Sequence, residues 1–519
     1  MLGMRIFLHE NFWSVAVIFP TTLPTQMEKS TQNLREETNY IQQFTPGKFN
    51  PFPDEIVQYI SNSLGMPIKR NHDGTTKEDE MCSDLQKSFA VLSMPPKYTT
   101  VRINLNKLPL EEALTEIKCH LNNQNKNNKP LVYPHPVIPD VILIESSGLK
   151  YIIPETKEVI VGRQCGSAVL RGANVFAPGV MGATPGISVG DKVAVYADLD
   201  DKCLRGSKGY KGNKMFVGNG VAERGRLELF RDPKPNGVAV VMEEKIFDCP
   251  SFCDFRSDVL YLQNLPSVLC SYVLGPELNG VVLDMCAAPG GKSTHLASMV
   301  GDNGKVIAID RSKRKVEQIE ENANKLGLRN IHAFVNDSRN LVCENVQPES
   351  EKLRAYGERP ESTRVDGKPF WSPPYYPSSF KWILLDAPCS ALGQRPQIKT
   401  SCSLKDLKSF PVIQRKLLEN AVKLLKSGGT LVYSTCTIVP EENEKMVGWV
   451  LDRFKDIELI DCQPKIGQPG LIGCGLDSDQ CRKVQRFGFL VNEGEPTSSS
   501  FNDHDRDTIG FFIASFRKL

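Results

Sequence analysis

Two cysteines follow strand-like apolar runs in this chain: WILLDAPCS carries Asp386 and Cys389, and TLVYSTCT carries Thr435 and Cys436. Taken singly, each is more often a buried structural thiol. At the carboxyl ends of neighbouring strands in an open α/β sheet, both face the crevice where such sheets hold ligands. A third run, VVLDMCAAPGGKSTHLA at 281–297, leads into the same crevice. Its Cys286, Ala287, Ala288, Pro289, Gly290 and Gly291 are small enough for a ligand to approach the backbone, and the helix opening at Lys292 offers free N–H groups. The pattern is neither GxGxxG nor GxxxxGK(S/T), so neither a dinucleotide nor a triphosphate follows. Asp310 ends the next strand, VIAID, where a doubly wound fold sets an acid against ribose hydroxyls. Asp337 ends the strand after that, suited to the adenine side. Each acid alone could simply cap a strand or helix. The series of turn, strand, acid, strand and acid points to an adenosine cofactor without phosphates, S-adenosylmethionine.

The chemistry that needs this set is methylation at C5 of a pyrimidine. C5 of cytosine is too weak a nucleophile to attack a sulfonium directly. A thiolate added to C6 makes C5 enamine-like; after methyl transfer C5 loses its proton and the thiolate departs. An acid bonded to the N3/N4 edge stabilises charge that develops during attack. Helix N-termini and a nearby lysine favour the thiolate.

These groups require repeating βα units to position them. From about 249 the chain alternates: a helical LQNLPSVLCSYVL, the strand VVLDMCA, VIAID at 306–310, a helix from Arg311 to Leu326, HAFVND, WILLDAP, a helix around 412–426, TLVYSTCT, IELID and IGFFIASF. That pattern predicts an open, mainly parallel sheet with helices on both faces. Upstream, 49–155 reads as a small α+β module, with helices at Asp54 to Leu64 and LEEALTEIKCHL and strands VRINL and VILIES. Between them, 156–248 is glycine-punctuated and β-rich (EVIVG, AVLRG, VFAPGV, DKVAVYAD, MFVGNGVAE, GVAVVMEE). Residues 1–48 read as a poorly ordered leader, and 343–378 as a flexible insertion or lid.

The motifs DMCAAPGGKSTH, DAPCS and STCT, with Asp310 and Asp337, resemble the Nop/Sun family of RNA cytosine-5 methyltransferases over 249–519. The resemblance implies an α/β, Rossmann-like class I S-adenosylmethionine-dependent methyltransferase. On the matching positions it implies Cys436 as nucleophile, Cys389 as an aid to product release, Asp386 on the cytosine edge and Lys292 between cofactor and base. Residues 286–292 with Asp310, Asp337 and Asp386 would line the cofactor site. The family usually has glycine where Ala391 stands, so the turn after Cys389 is expected to be tighter here. VGRQCGSAVLRGANVFAPGV and GISVGDKVAVY resemble a PUA domain, and a PUA domain ahead of this catalytic half resembles the tRNA-specific branch of the family. That implies methylation of cytidine 72 in the acceptor stem of tRNA for cysteine and threonine, with the CCA end recognised. The tract KCLRGSKGYKGNK then becomes a phosphate contact through Lys202, Arg205, Lys208, Lys211 and Lys214, joined by Arg171 and Phe176.

Charge does not announce this partner: 63 Lys+Arg against 61 Asp+Glu leaves +2. The basic groups are local, with five inside 202–214 and no acid among them, so recognition by fit outweighs a long-range field. The fifteen cysteines form no paired CxxC framework; Cys249 and Cys253 are an isolated CxxxC, so no metal site is expected. A reducing, cytoplasmic setting and a monomer are expected, since the apolar run Phe12 to Pro20 lacks a cleavage site and is too short to span a membrane. The other readings are a C5-methyltransferase of ribosomal RNA or mRNA stem-loops, and a non-catalytic RNA-binding protein, which has no need of Cys389 and Cys436 together. A DNA cytosine methyltransferase fits least, because it would use the Pro-Cys thiol and leave Cys436 unexplained.

Overall fold

The computed structural model describes residues 50–66, 83–124, 129–252, 255–343, 364–365, 368–369, 371–489 and 503–519. The expected leader 1–48 and Cys253 lie outside these residues. The carboxyl-terminal half folds around an eight-stranded sheet. Its order is Ile331–Val335, Lys305–Asp310, Val281–Asp284, Phe380–Asp386, Leu425–Thr435, Phe511–Lys518 and Ile457–Ile460, with Gln485–Phe487 also on Phe511–Lys518. The first five strands are parallel; Phe511–Lys518 runs antiparallel to its neighbours. Alternate side chains serve opposite faces. Val282, Val306, Leu384 and Val432 enter one core, while Leu283, Ile307, Ile383 and Leu431 enter the other. Strands covered on both faces read as unbroken apolar runs, which is why WILLD looks as it does.

The strand Val281–Asp284 has its next strand in sequence on one side and Phe380–Asp386 on the other. Strand order reverses there, and the crevice of a doubly wound sheet opens beyond the carboxyl ends at such a point. The turn 286–290, Asp386 and Cys389 all follow those ends. Helix Leu404–Leu424 covers one face through Leu407, Leu417, Leu418, Ala421 and Val422; each buried leucine contributes roughly 1.5–3 kcal/mol. This helix starts eight residues before the expected 412, at a capping box in which Ser403 Oγ accepts from Asp406 N, and it runs through Pro411.

The β-rich segment forms a six-stranded sheet in the order Val175–Phe176, Val238–Lys245, Lys214–Ala222, Lys192–Asp198, Glu158–Val161 and Val180–Ala183. AVLRG, expected as a strand, belongs instead to helix Arg163–Leu170. Val169 and Leu170 are buried, and the helix sits so close to the sheet that a Cβ on Gly166 would lie 2.4 Å from Ala197 Cβ.

The 49–155 segment is divided. Strands Tyr98–Ile103, Val141–Glu145 and Val132–Pro134 form a sheet whose fourth strand, Leu260–Leu262, comes from beyond the β-rich segment. Helices Asp54–Ser63 and Ser83–Leu92 pack elsewhere: Ile56, Ile60, Leu85 and Phe89 join Leu392, Ile438, Val439 and Phe489 of the carboxyl-terminal half. An apolar helix face shows that burial is needed, but not against what. The expected flexible insertion at 343–378 also needs correction at its end, because Trp371 and Tyr375 are buried in the main core and Tyr375 Oη donates to Trp371 O at 2.8 Å. Residues 344–363 lie outside the described residues.

His135, His504 and Asp505 meet in a buried group. Val137 and Ile138 N–H both donate to His135 Nδ1, so the ring proton sits on Nε2, 2.9 Å from Asp505 Oδ1. That nitrogen is therefore a donor rather than a metal ligand, and the group anchors the 503–506 turn. Among the described residues no helix is long and apolar enough to cross a membrane.

Candidate active site

The strand Val281–Asp284 ends in a turn that leads into helix Gly291–Val300. Gly290, at φ +104°, occupies the left-handed region, and a Cβ there would press to 3.2 Å on Ile319 Cα. Only glycine fits so close to the neighbouring helix. The first turn of Gly291–Val300 leaves N–H groups without partners inside the helix, facing the crevice. Asp310, buried, accepts from Ala288 N at 3.3 Å and lies 3.7 Å from Lys315 Nζ. Asp337 accepts from Arg339 Nε at 2.9 Å and from its backbone N–H, which holds its carboxyl below the usual range. Small residues, a helix N-terminus and an acid at the next strand end fit an adenosyl cofactor.

Beside the turn lies a cavity of about 440 Å³, walled by Asp284, Cys286–Pro289, Gly291, Lys292, Asp386 and Gln394. Tyr98–Thr100 of the amino-terminal sheet, Gln263, Asn264 and Arg171 complete the wall. Asp310 and Asp337 are outside this cavity. Lys292 Nζ donates to Asp386 Oδ2 at 2.6 Å, and Ser434 Oγ donates to Oδ1 at 2.7 Å. Burial by itself lowers the Lys292 amine, but the Asp386 carboxylate outweighs it and holds the amine above its ordinary value. Lys292 is thus a fixed cation in a low-dielectric wall.

Strands Phe380–Asp386 and Leu425–Thr435 are parallel neighbours, Asp386 opposite Ser434. Beyond their ends, Cys389 Sγ and Cys436 Sγ lie 3.4 Å apart. Two thiols this close titrate as a pair. The contact with Cys389 holds Cys436 below the ordinary cysteine value, and Gln394 and the Lys292 charge act in the same direction. The same contact, with burial, pushes Cys389 well above it. Of the two thiols, Cys436 is therefore the one favoured to ionise. Gly393 N donates to Cys436 O at 3.0 Å and Ser390 Oγ meets Thr437 Oγ1 at 2.7 Å, stitching the two loops together. Ala391 takes φ +57°, glycine's region, so the turn after Cys389 is strained at that residue.

The basic tract needs a correction. Lys202, Lys208 and Lys211 are exposed, as is Phe176. Arg205 instead donates to Val180 O at 3.0 Å and Leu229 O at 2.8 Å and lies over the Phe230 ring. Lys214 is paired with Glu158 at 2.5 Å over the Tyr196 ring. Both pin the β-rich sheet; Lys214 is half-buried, while Arg205 stays exposed like its lysine neighbours. The preceding acids are also committed, Asp200 to Lys399 and Asp201 to Arg163, and the first joins the two halves.

Several residues of this neighbourhood had no signal of their own in the sequence. Arg102 reaches from the amino-terminal sheet to donate to Gly291 O at 2.6 Å, Gln263 Oε1 at 2.8 Å and Thr294 Oγ1 at 2.9 Å. Asp284, within the motif, accepts from Ser293 Oγ at 2.7 Å, and burial lifts its carboxyl to about 7. Its place at the strand end, like that of Asp310, was the signal that could have found it; Asp337, expected at a strand end, lies two residues past Val335 and caps the turn 338–340.

A family model described as 16S rRNA methyltransferase RsmB/F matches residues 271–517, and a PUA domain model matches 157–219. The chain is 40% identical over 476 residues to the tRNA (cytosine(72)-C(5))-methyltransferase NSUN6 of Mus musculus, covering 89% of this chain and 95% of the mouse protein. It is 30% identical to the tRNA (cytosine(72)-C(5))-methyltransferase of Pyrococcus horikoshii, over 90% of this chain and 97% of that protein. The crystal structure of NSun6 from Pyrococcus horikoshii with SFG superposes with a TM-score of 0.63 at 30% identity, covering 90% of this chain and 99% of that one. Two thiols in contact beside a turn of small residues, in a chain this similar along its length to such enzymes, place it in the RsmB/F family of S-adenosylmethionine-dependent RNA cytosine-C5 methyltransferases.

Proposed function

We propose that this enzyme methylates C5 of cytidine 72 at the 3′ end of the tRNA acceptor stem, with tRNA for cysteine and threonine as substrates. The single observation that carries the chemistry is the 3.4 Å pair of Cys389 and Cys436, with Cys436 held below the ordinary cysteine value. When bound, S-adenosylmethionine supplies an electrophilic methyl group on its sulfonium. The Cys436 thiolate adds to C6, and the C5=C6 electrons become available at C5, which takes the methyl. Asp386, oriented by Lys292 and Ser434, meets the N3/N4 edge and stabilises the charge raised by the addition. C5 then gives its proton to water, C5=C6 re-forms, and the C6–S bond breaks to return Cys436 as a thiolate. Cys389 assists this last release. The turn 286–292 with Asp310, Asp337 and Asp386 holds the cofactor.

The stem end is read by the PUA domain at 156–248 and the amino-terminal module, through phosphates and shape rather than base sequence. Lys202, Lys208, Lys211, Phe176 and the cavity-lining Arg171 supply those contacts, up to the unpaired CCA end. Cytidine 72 sits beside the end of the helix, where fraying reduces the cost of flipping a base. The chain acts as a cytoplasmic monomer.

The test is incubation with labelled cofactor and transcribed tRNA, followed by bisulfite sequencing. Label at position 72 that vanishes with Cys436→Ala supports the reading. Labelling that survives Cys436→Ala removes the nucleophile, and label at another cytidine removes the position.

A further inference from the structure

Next to the cysteine pair lies a buried carboxyl that the reaction above does not use. Glu442 and Gln414 are both fully buried. Glu442 Oε2 accepts from Ser390 N at 3.1 Å and from Gln414 Nε2 at 2.8 Å. The same Gln414 Nε2 also donates to Pro388 O at 3.0 Å. The pair therefore grips the peptide units on both sides of Cys389. Its own backbone is fastened in turn, since Tyr433 Oη donates to Glu442 O at 2.7 Å. Among the described residues, Glu442 Oε1 and Gln414 Oε1 have no hydrogen-bond partner. Two orphan acceptors on one buried pair are costly, and a full negative charge on one of them would be costlier still.

We propose that Glu442, protonated and paired with Gln414, is the positioning residue for Cys389, holding its thiol against Cys436 and so governing release of the methylated base. The proposal rests on the release role of Cys389 given above. Protonation avoids a bare charge in the core. Burial, the largest cause, lifts this carboxyl to about 7, and the charge of Glu441 adds to it. The other titratable groups facing it are Cys389, Tyr433, Cys402 and Tyr59, and none is a cation. An ionised Glu442 would push the Cys389 thiol further up, so the proton on the carboxyl also keeps Cys389 able to exchange its own.

The sign of the pH effect follows. The carboxyl is raised in the fold relative to its ordinary 4.5, so its contribution to stability is fully present below about 4.5 and is lost as pH rises through about 7. Glu442→Gln keeps the acceptor for Ser390 N and Gln414 and supplies an amide donor in place of the proton, so it mimics the protonated state at every pH.

The experiment compares wild type, Glu442→Gln, Glu442→Ala, Gln414→Leu and Cys389→Ala, measuring the covalent RNA–protein adduct on denaturing gels and melting temperature from pH 5 to 8. Glu442→Ala and Gln414→Leu are expected to slow adduct breakdown by about 10- to 100-fold, the cost of misplacing a reacting group by an ångström. Glu442→Gln is expected to release product at the wild-type rate and to gain in melting temperature over wild type as pH rises from 5 to 7. If Glu442→Ala does not fold, Gln414→Leu is read in its place. Adduct in Cys389→Ala with none in either Glu442→Ala or Gln414→Leu overturns the positioning role while leaving the role of Cys389 intact. No adduct in Cys389→Ala defeats the release reading and the proposal with it. A melting difference between Glu442→Gln and wild type that stays flat across pH overturns the protonated carboxyl.

Discussion

Cys436 is held below the ordinary cysteine value chiefly by its contact with Cys389, so that partner can be removed and the effect read directly. In Cys389→Ala the pKa of Cys436 should rise back toward the ordinary value. The measurement is the pH dependence of Cys436 alkylation by iodoacetamide, followed by mass spectrometry. Wild type should react at Cys436 ahead of Cys389 at neutral pH, with the limb for Cys436 moving to higher pH in the variant; an unmoved limb would show that burial and Lys292 set it instead. Residue types were legible here from the sequence. Asp386, Cys389, Cys436 and the 286–292 turn each stand in a short local motif whose chemistry is readable without a fold. Asp284 was readable by the same logic, as a strand-end acid. Glu442 and Gln414 were not, because their function comes from touching the peptides around Cys389, which are 52 and 26 residues away.

The elements place these groups, and two of them do so under constraint. Ala391 holds glycine's backbone conformation in the loop between Cys389 and Gln394. A left-handed non-glycine residue costs roughly 1–2 kcal/mol, offset by about 0.4–1 kcal/mol of extra unfolded-chain freedom in glycine. Ala391→Gly should therefore raise stability, by up to about 1 kcal/mol, in thermal denaturation; a loss would mean that the methyl group packs usefully. The second constraint is Arg102, which crosses from the amino-terminal sheet to the first carbonyl of the cofactor helix. Burial lowers its guanidinium to about 10, with Asp140 the nearest opposing charge. Arg102→Leu should cost about 2–3 kcal/mol through orphaned partners and weaken cofactor binding by isothermal titration calorimetry, with Cys436 alkylation unchanged. Strand and helix periods in the carboxyl-terminal half were visible, since doubly covered strands and amphipathic helices carry strong patterns. AVLRG misled because a run as short as Ala168, Val169 and Leu170 fits either a strand or a packed helix turn. The helix expected at 412–426 was shortened because Pro411 weakens the helical signal that its capping box at Ser403 restores.

Across the whole molecule, the basic tract has two functions that its sequence does not separate. Arg205 and Lys214 hold the β-rich sheet together, whereas Lys202, Lys208 and Lys211 are exposed lysines outside those contacts. Neutralising the three lysines together should weaken tRNA binding and reduce the slope of log affinity against log salt by up to about 3, with melting unchanged; Arg205→Ala should lower the melting temperature instead. Filter binding across a salt series checks the first and thermal denaturation the second. The units are also interleaved: Leu260–Leu262 completes the amino-terminal sheet from beyond the β-rich segment, and the first two helices pack on the catalytic half. The amino-acid order by itself determined the sheet class, the small-residue turn and the two cysteine motifs, because those depend on short-range spacing and on residue chemistry. Only the tertiary structure decided that the two thiols meet at 3.4 Å, which basic residues also hold the β-rich sheet, and that strands from the amino-terminal sheet wall the cavity beside the turn. Those facts depend on distances between residues far apart in the chain, and burial and mutual charge, which set them, exist only once the chain has closed on itself.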